Sequence, residues 1–235
     1  MLEIRNYSKK YGNNLVVDNI SFTVENGDIF AFIGHNGAGK TTTIKSIVGI
    51  HDITSGDILI DGVSIKEDPI KCKSMISYVP DNPDIYPTLT GMQYLNLVAD
   101  IFRVSKEDRE ARIKKYSELL EISSALNNLI SSYSHGMRQK LVVISALIHN
   151  PKILVLDEPF VGLDPKASFI LKDLFREFVK EGGAIFFSTH ILEVAEKLCN
   201  KVAIIKQGKL VANGTMSEIK QDKSLESVFM ETSNE

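Results

Sequence analysis

The chain of 235 residues has only two cysteines, Cys72 and Cys199. They lie far apart and form no C-x-x-C pair, which argues against a disulfide framework and against a thiolate metal site. Reduced thiols in a cytosolic protein are the expectation. Net charge is also scarce: 27 Lys and Arg against 30 Asp and Glu leave −3. A nucleic-acid partner held by bulk positive charge is therefore not expected. Long apolar runs are missing, since a stretch such as Leu141 to Ile148 is far short of the roughly 20 residues that span a bilayer. Met1-Leu2-Glu3-Ile4-Arg5 runs into polar residues, so no signal peptide is expected. Any membrane association would come through a partner. Internal repeats, low-complexity segments and linkers are absent as well.

What remains is ordinary for a globular protein: 43% hydrophobic and 24% charged residues, enough to bury a core. The length suits one large α/β domain or a domain with an insertion. Within it, Gly34-His35-Asn36-Gly37-Ala38-Gly39-Lys40-Thr41-Thr42 follows the apolar run Ile29 to Ile33 and precedes a segment of helical spacing. This is a G-x-x-x-x-G-K-T phosphate-binding loop in its strand–loop–helix setting. Glycines let successive N–H groups approach a polyphosphate. The helix start adds orphan amides and a partial positive charge. Lys40 would reach the β- and γ-phosphates and the Thr41 hydroxyl would ligate Mg²⁺. A bound nucleoside triphosphate is the prediction.

Turn residues and alternation predict strands at Leu2–Arg5, Leu15–Val17, Ile20–Val24, Ile29–Ile33, Asp57–Ile60 and Met75–Val79. From Thr90 to Leu147 helices are expected: Gly91 to Val104, a helix capped by Ser105 and running to about Glu121, and one opened by Ser134 covering Met137 to Ile148. Ile153–Leu156 then reads as a strand buried on both faces. Ala167–Glu181 and Ile191–Leu198 read as helices around a strand at Ala184–Ser188. A strand pair turned at Gln207-Gly208 and a polar tail from Thr232 complete the chain. The expected fold is an α/β P-loop core with an antiparallel β portion near the start and a helical insertion.

Asp157-Glu158 ends the apolar strand, where ligands bind in open α/β sheets. Asp157 suits a Mg²⁺ role opposite Thr41, and Glu158 a general base for the attacking water. His190 ends a second strand after Ser188-Thr189; it either contacts a γ-phosphate or is structural. Tyr11 either stacks on an adenine or caps the β portion. Ser134-His135-Gly136-Met137 by itself marks a helix N-cap.

Together and in order, Tyr11, the glycine loop, Tyr133-Ser134-His135-Gly136-Met137, Ile153 to Pro159, Gly162-Leu163-Asp164-Pro165 and Ser188-Thr189-His190 resemble the nucleotide-binding subunit of an ATP-binding cassette (ABC) transporter. The resemblance runs from Tyr11 to about Gly214. It implies a RecA-like P-loop fold, divided into about 1–89 and 150–215 for the core with its β subdomain, about 90–149 for a helical subdomain, and 216–235 for a C-terminal helical tail. It implies ATP and Mg²⁺ as ligands, and two such subunits closing head-to-tail on two ATP molecules. Ser134 and the amides near Gly136 would then meet the γ-phosphate held by the partner's loop. Asp164 would lie at the dimer seam, Val16 near the base or ribose, and His190 at the γ-phosphate. The partner would be a second copy or a homologous chain, working with an integral membrane subunit at the cytoplasmic face of the cell membrane.

Two segments depart from the family pattern. His135 stands where a glycine is usual, with Tyr133 and Met137 replacing leucine and glutamine. Asp81 stands where the family places a glutamine that senses Mg²⁺ and water; a carboxylate there would bind Mg²⁺ or its water but lacks the amide donor, and Asn82 is a candidate substitute. The segment Asp81 to Leu97 and the short C-terminus resemble single-domain bacterial exporter ATPases. An importer ATPase, a soluble ABC protein of translation or DNA repair, and a module that holds ATP without turnover are the alternatives. The transported substrate is not encoded here, because it would touch the membrane subunit.

Overall fold

The computed structural model describes residues 1–234, with side chains to Thr232. The chain opens with β1 (Leu2–Tyr11) and β2 (Asn14–Val24), then β3 (Ile29–Ile33), α1 (Lys40–Ile47), β4 (Ser55–Ile60), β5 (Val63–Ser64), α2 (Pro69–Met75) and β6 (Ile76–Val79). Helices α3 (Gly91–Ile101), α4 (Lys106–Leu119) and α5 (His135–Ile148) follow, with two 3-10 turns between the last two. The chain then alternates through β7 (Ile153–Asp157), α6 (Pro165–Lys180), β8 (Ala184–Thr189), α7 (Leu192–Leu198), β9 (Lys201–Lys206) and β10 (Lys209–Thr215). Helices α8 (Met216–Lys220) and α9 (Leu225–Asn234) close it.

Two sheets result. An antiparallel one has the order β2-β1-β4-β5, and a larger one the order β10-β9-β3-β8-β7-β6, parallel except for β10. The period-2 alternation of the central strands divides the core between the two faces of the larger sheet. Phe30 and Phe32 of β3, Val155 of β7 and Phe186 of β8 face the antiparallel sheet and α1. Ala31, Ile33, Leu156 and Phe187 face the helices. On the first face Phe22 of β2 stacks on Phe30 and Phe186 at 5.2 and 5.5 Å between ring centroids. Burying each such ring contributes roughly 1.5–3 kcal/mol. This two-sided burial explains why Ile29–Ile33 and Ile153–Leu156 are apolar throughout.

Helix α5 is the centre of the helical stretch, with Leu141, Ile144 and Ile148 fully buried in the same helix-side core as the sheet residues. A polar contact adds to this packing at β6. Ser77 Oγ of β6 donates to the Ala146 carbonyl at 2.6 Å and lies 2.9 Å from His149 Nε2. With its own proton committed, Ser77 must accept from Nε2–H, so Nδ1 is the bare nitrogen of His149; it is buried without a hydrogen-bond partner. The Phe102 ring packs on the same imidazole, 3.7 Å away by centroids.

The structure departs from the sequence expectation in several elements: β1 runs past Arg5 to Tyr11, β5 was not expected, and Met75 belongs to α2 rather than to the strand after it. Leu15–Val17 and Ile20–Val24 are one strand, because Asn19 takes a positive φ of 51° and absorbs the irregularity. Helix α2 was not expected; Asp68 caps it and Pro69 opens it, a start signal that its polar composition concealed. Helix α9 runs through Thr232, whose hydroxyl donates back to the Val228 and Phe229 carbonyls. Glu235, the end of the expected polar tail, lies outside the described residues.

Candidate functional site

The glycine loop sits between β3 and α1. At Gly34 a Cβ would come within 2.5 Å of the Ile205 carbonyl oxygen, so only glycine fits. Gly39, the last residue before α1, has φ 111° and lies against Val17 and the Val16 carbonyl. Nothing from a side chain caps α1, which leaves the amides of its first turn facing the loop. The Lys40 side chain curls back into the loop, donating to the Gly34 carbonyl at 2.7 Å and more weakly to that of His35 at 3.3 Å. Burial pushes the Lys40 pKa down, and Glu158 and Asp157 pull it the other way.

A cavity of about 250 Å³ lies over this loop, lined by Val16, Asn36, Gly37, Gly39, Lys40, Thr41, Thr42, Asp81, Asp157 and Glu158. The parallel sheet brings these segments together, since the C-terminal ends of β3, β6 and β7 open on one edge. Asp157 is buried and accepts from Ser188 Oγ of β8. Glu158 follows in a left-handed conformation, φ 49°, of the kind that costs about 1–3 kcal/mol and is kept where the surroundings fix it. Its amide donates to the Ser188 carbonyl at 3.2 Å. Its carboxylate meets His190, with Nδ1 to Oε1 at 2.9 Å and the His190 amide donating to Oε2 at 3.3 Å. The imidazole is more than half exposed while the Glu158 side chain is 12% exposed, so the ring shields the carboxylate and keeps one nitrogen outward.

Asp81 completes the wall. Burial raises its pKa, as do the charges of Asp157 and Glu158, and His135 and His190 lower it. Thr41, Asp157 and Asp81 offer only oxygen donors, the set a hard cation such as Mg²⁺ prefers. The fit to Mg²⁺ is thus good in donor chemistry.

The second helix start is built differently. Ser134 caps α5 itself, its Oγ accepting from the Met137 amide at 3.2 Å. His135 packs over Gly162, where a Cβ would meet the ring at 2.5 Å, and a Cβ on Gly136 would meet the Gly162 carbonyl at 3.3 Å. Asp164 caps α6, accepting from Ala167 N at 2.8 Å, and its carboxyl is lowered by that bond. None of Ser134, His135, Gly136 or Met137 lines the loop cavity.

The structure therefore brings Val16, Asn36 to Thr42, Asp81, Asp157 and Glu158 around one cavity, with His190 bonded to Glu158. Tyr11 is outside that lining. The residue is 43% exposed, its ring edge-on to His51 at 5.7 Å with Lys9 Nζ 4.9 Å from the ring centre. Asn82 is exposed and likewise outside it. Sequence reasoning did not assign Ser188 a role, although it holds Asp157 and the Glu158 backbone; its adjacency to His190 was the only available signal.

Comparison with known proteins gives a consistent picture. The ABC transporter family matches residues 17–161. The chain is 35% identical over 240 residues to the ABC-type transporter ATP-binding protein EcsA of Bacillus subtilis (strain 168), covering 100% of this chain and 97% of that one. It is 32% identical over 219 residues to the Nod factor export ATP-binding protein I of Cupriavidus metallidurans, covering 93% and 72% of the two chains. A solved structure described as the ATP binding subunit of an ABC transporter matches with a TM-score of 0.96 at 32% identity, over 99% of both chains.

Proposed function

This chain belongs to the ABC transporter family as an ATP-binding protein, and from that premise we propose that it hydrolyses ATP between two copies of itself to drive export through a separate membrane-spanning subunit. The observation that carries the proposal is the Glu158–His190 pair at the wall of the Lys40 cavity. A module that only held ATP would have no need of a strained, shielded carboxylate beside the phosphate site.

In this reading Lys40 leaves the Gly34 carbonyl for the phosphates, joined by the loop amides and the first turn of α1. Glu158 orients the attacking water and takes its proton, while His190 fixes the carboxylate through Nδ1 and turns its other nitrogen toward the γ-phosphate. Thr41, Asp157 and Asp81 would hold Mg²⁺, which when bound neutralises charge on the β- and γ-phosphate oxygens. Val16 would border the base or ribose, and Tyr11 would reach the adenine from beside the cavity. Ser134 and Gly136, outside the lining of their own chain's cavity, would complete that of a second copy, with Asp164 at the seam. We assign residues 90–149 to a helical subdomain, supported by the run of three consecutive helices between β6 and β7.

Export is supported by the relative named for Nod factor export. Among the described residues no helix is long and apolar enough to cross a membrane, so a membrane-spanning partner is part of the proposal. The test is a pull-down of tagged Glu158→Gln from detergent-solubilised native membranes with ATP and Mg²⁺. Capture of a multi-helix membrane protein is expected. Recovery of the bait with only ribosomes, nucleic acid or itself would overturn the transport assignment and favour a soluble ABC ATPase.

A further inference from the structure

The glycine loop is linked to the far end of the chain. The His35 ring lies 4.7 Å, centroid to centroid, from Phe229 on α9. Phe229 and Leu225, one turn earlier, are both buried in the helix-side core. Helix α9 is held at both ends by elements that themselves border the site. At its start the Leu225 amide donates to Glu196 Oε2 of α7 at 3.1 Å, and Lys220 pairs with the same carboxylate; α7 begins two residues after His190. In its last turn the Thr232 carbonyl accepts from Lys206 Nζ at 3.1 Å, a cation where a helix C-terminus favours one. Lys206 ends β9, and two residues on the Gly208 amide donates to the Ala38 carbonyl of the loop at 3.0 Å.

His35 itself is a structural member of the loop. Its carbonyl accepts from the Ala38 amide at 3.1 Å and from Lys40 Nζ at 3.3 Å. The residue whose ring meets Phe229 thus also supplies one of the two carbonyls that receive the lysine. We propose that Phe229 is a positioning residue for the phosphate-binding loop: by holding the His35 ring it fixes the carbonyl that orients Lys40, and α9 so sets the affinity for ATP. This rests on the ATP-binding reading above.

The experiment is titration of the full-length protein with a fluorescent ATP analogue, alongside thermal melting. Wild-type binding is the control; its absence would mean that the ATP-binding reading, and not the role of Phe229, has failed. With binding established, Phe229→Ala is expected to weaken it about 3- to 10-fold, the range of an aromatic pair. Phe229→Tyr, which keeps the ring, should stay within about two-fold of wild type. His35→Ala should weaken binding similarly, and the double substitution should be no weaker than either single one, because both remove the same contact. If Phe229→Ala does not fold, Phe229→Leu keeps the apolar volume without the ring and carries the same expectation. A variant that melts earlier but binds as wild type would overturn the proposal, as would two substitutions whose effects multiply.

Discussion

Two helix N-termini, those of α1 and α5, are assigned to one nucleotide, and they are built in opposite ways. Helix α1 starts from Gly39 with no side-chain cap, and its lysine bonds to carbonyls of its own loop. Helix α5 starts from Ser134, whose hydroxyl already satisfies the Met137 amide. The first packs on the face of the larger sheet that meets the antiparallel sheet and shares a cavity with Asp157 and Glu158. The second stands on the helical stretch, braced by His135 over Gly162. An uncapped start has amides to offer a tightly held polyanion. A capped one offers a hydroxyl and a few amides and can add only a weaker contact. On the proposed reading, one end is a phosphate site in its own right, while the other would contribute only when brought to a nucleotide held elsewhere.

The sharpest way to separate the two ends is to stop the chemistry alone. Glu158→Gln should slow hydrolysis about 10²–10⁴-fold, some 3–5.5 kcal/mol of barrier, with ATP still bound; a phosphate-release assay beside a binding titration reads both. Next in size, Lys40→Ala removes a cation from the α1 end. Charge-assisted bonds of about 1.5–3 kcal/mol predict a loss of ATP affinity of roughly 10- to 100-fold, measured by calorimetry on the monomer.

Ser134→Ala tests the other end and should behave differently. Binding of ATP by the isolated chain should be unchanged, hydrolysis should fall about ten-fold for one lost hydrogen bond to a charged group, and α5 should lose about 1 kcal/mol of capping. Equal loss of monomer binding would erase the distinction between the two helix starts.

The smallest effect concerns how α5 is seated at its far end. Burial, with Arg112 nearby, brings the His149 pKa down to about 4. The unfolded chain, with a pKa near 6.5, takes up that proton first as pH falls. Stability from this group is therefore complete above about pH 6.5 and lost progressively toward about pH 4. Melting temperatures measured across that window should fall with a shallower slope in His149→Asn than in wild type.

The α1 end was legible from residues alone, because its glycines, lysine and following helix are contiguous and the chemistry demands each. Asp157 and Glu158 were legible because an apolar strand ends at them. The α5 end was not: Ser134 reads as a cap, and the further role proposed for it came from resemblance, since it lines no part of the chain's own cavity. Ser188 and Phe229 were hidden for another reason. Their contacts, to Asp157 across the sheet and to His35 from the last helix, are set by tertiary packing and leave no local pattern. Helix α2 escaped because its buried face is a single cysteine, Cys72, too little for periodicity to register.

The central claim is that the α5 end of one copy completes the α1 site of another. It is tested most directly by light scattering of Glu158→Gln with ATP and Mg²⁺, where slowed turnover preserves the complex. The account predicts a mass twice the 26.1 kDa of the chain, returning to the single mass when Ser134→Ala is added. A single mass for Glu158→Gln with ATP bound would contradict it.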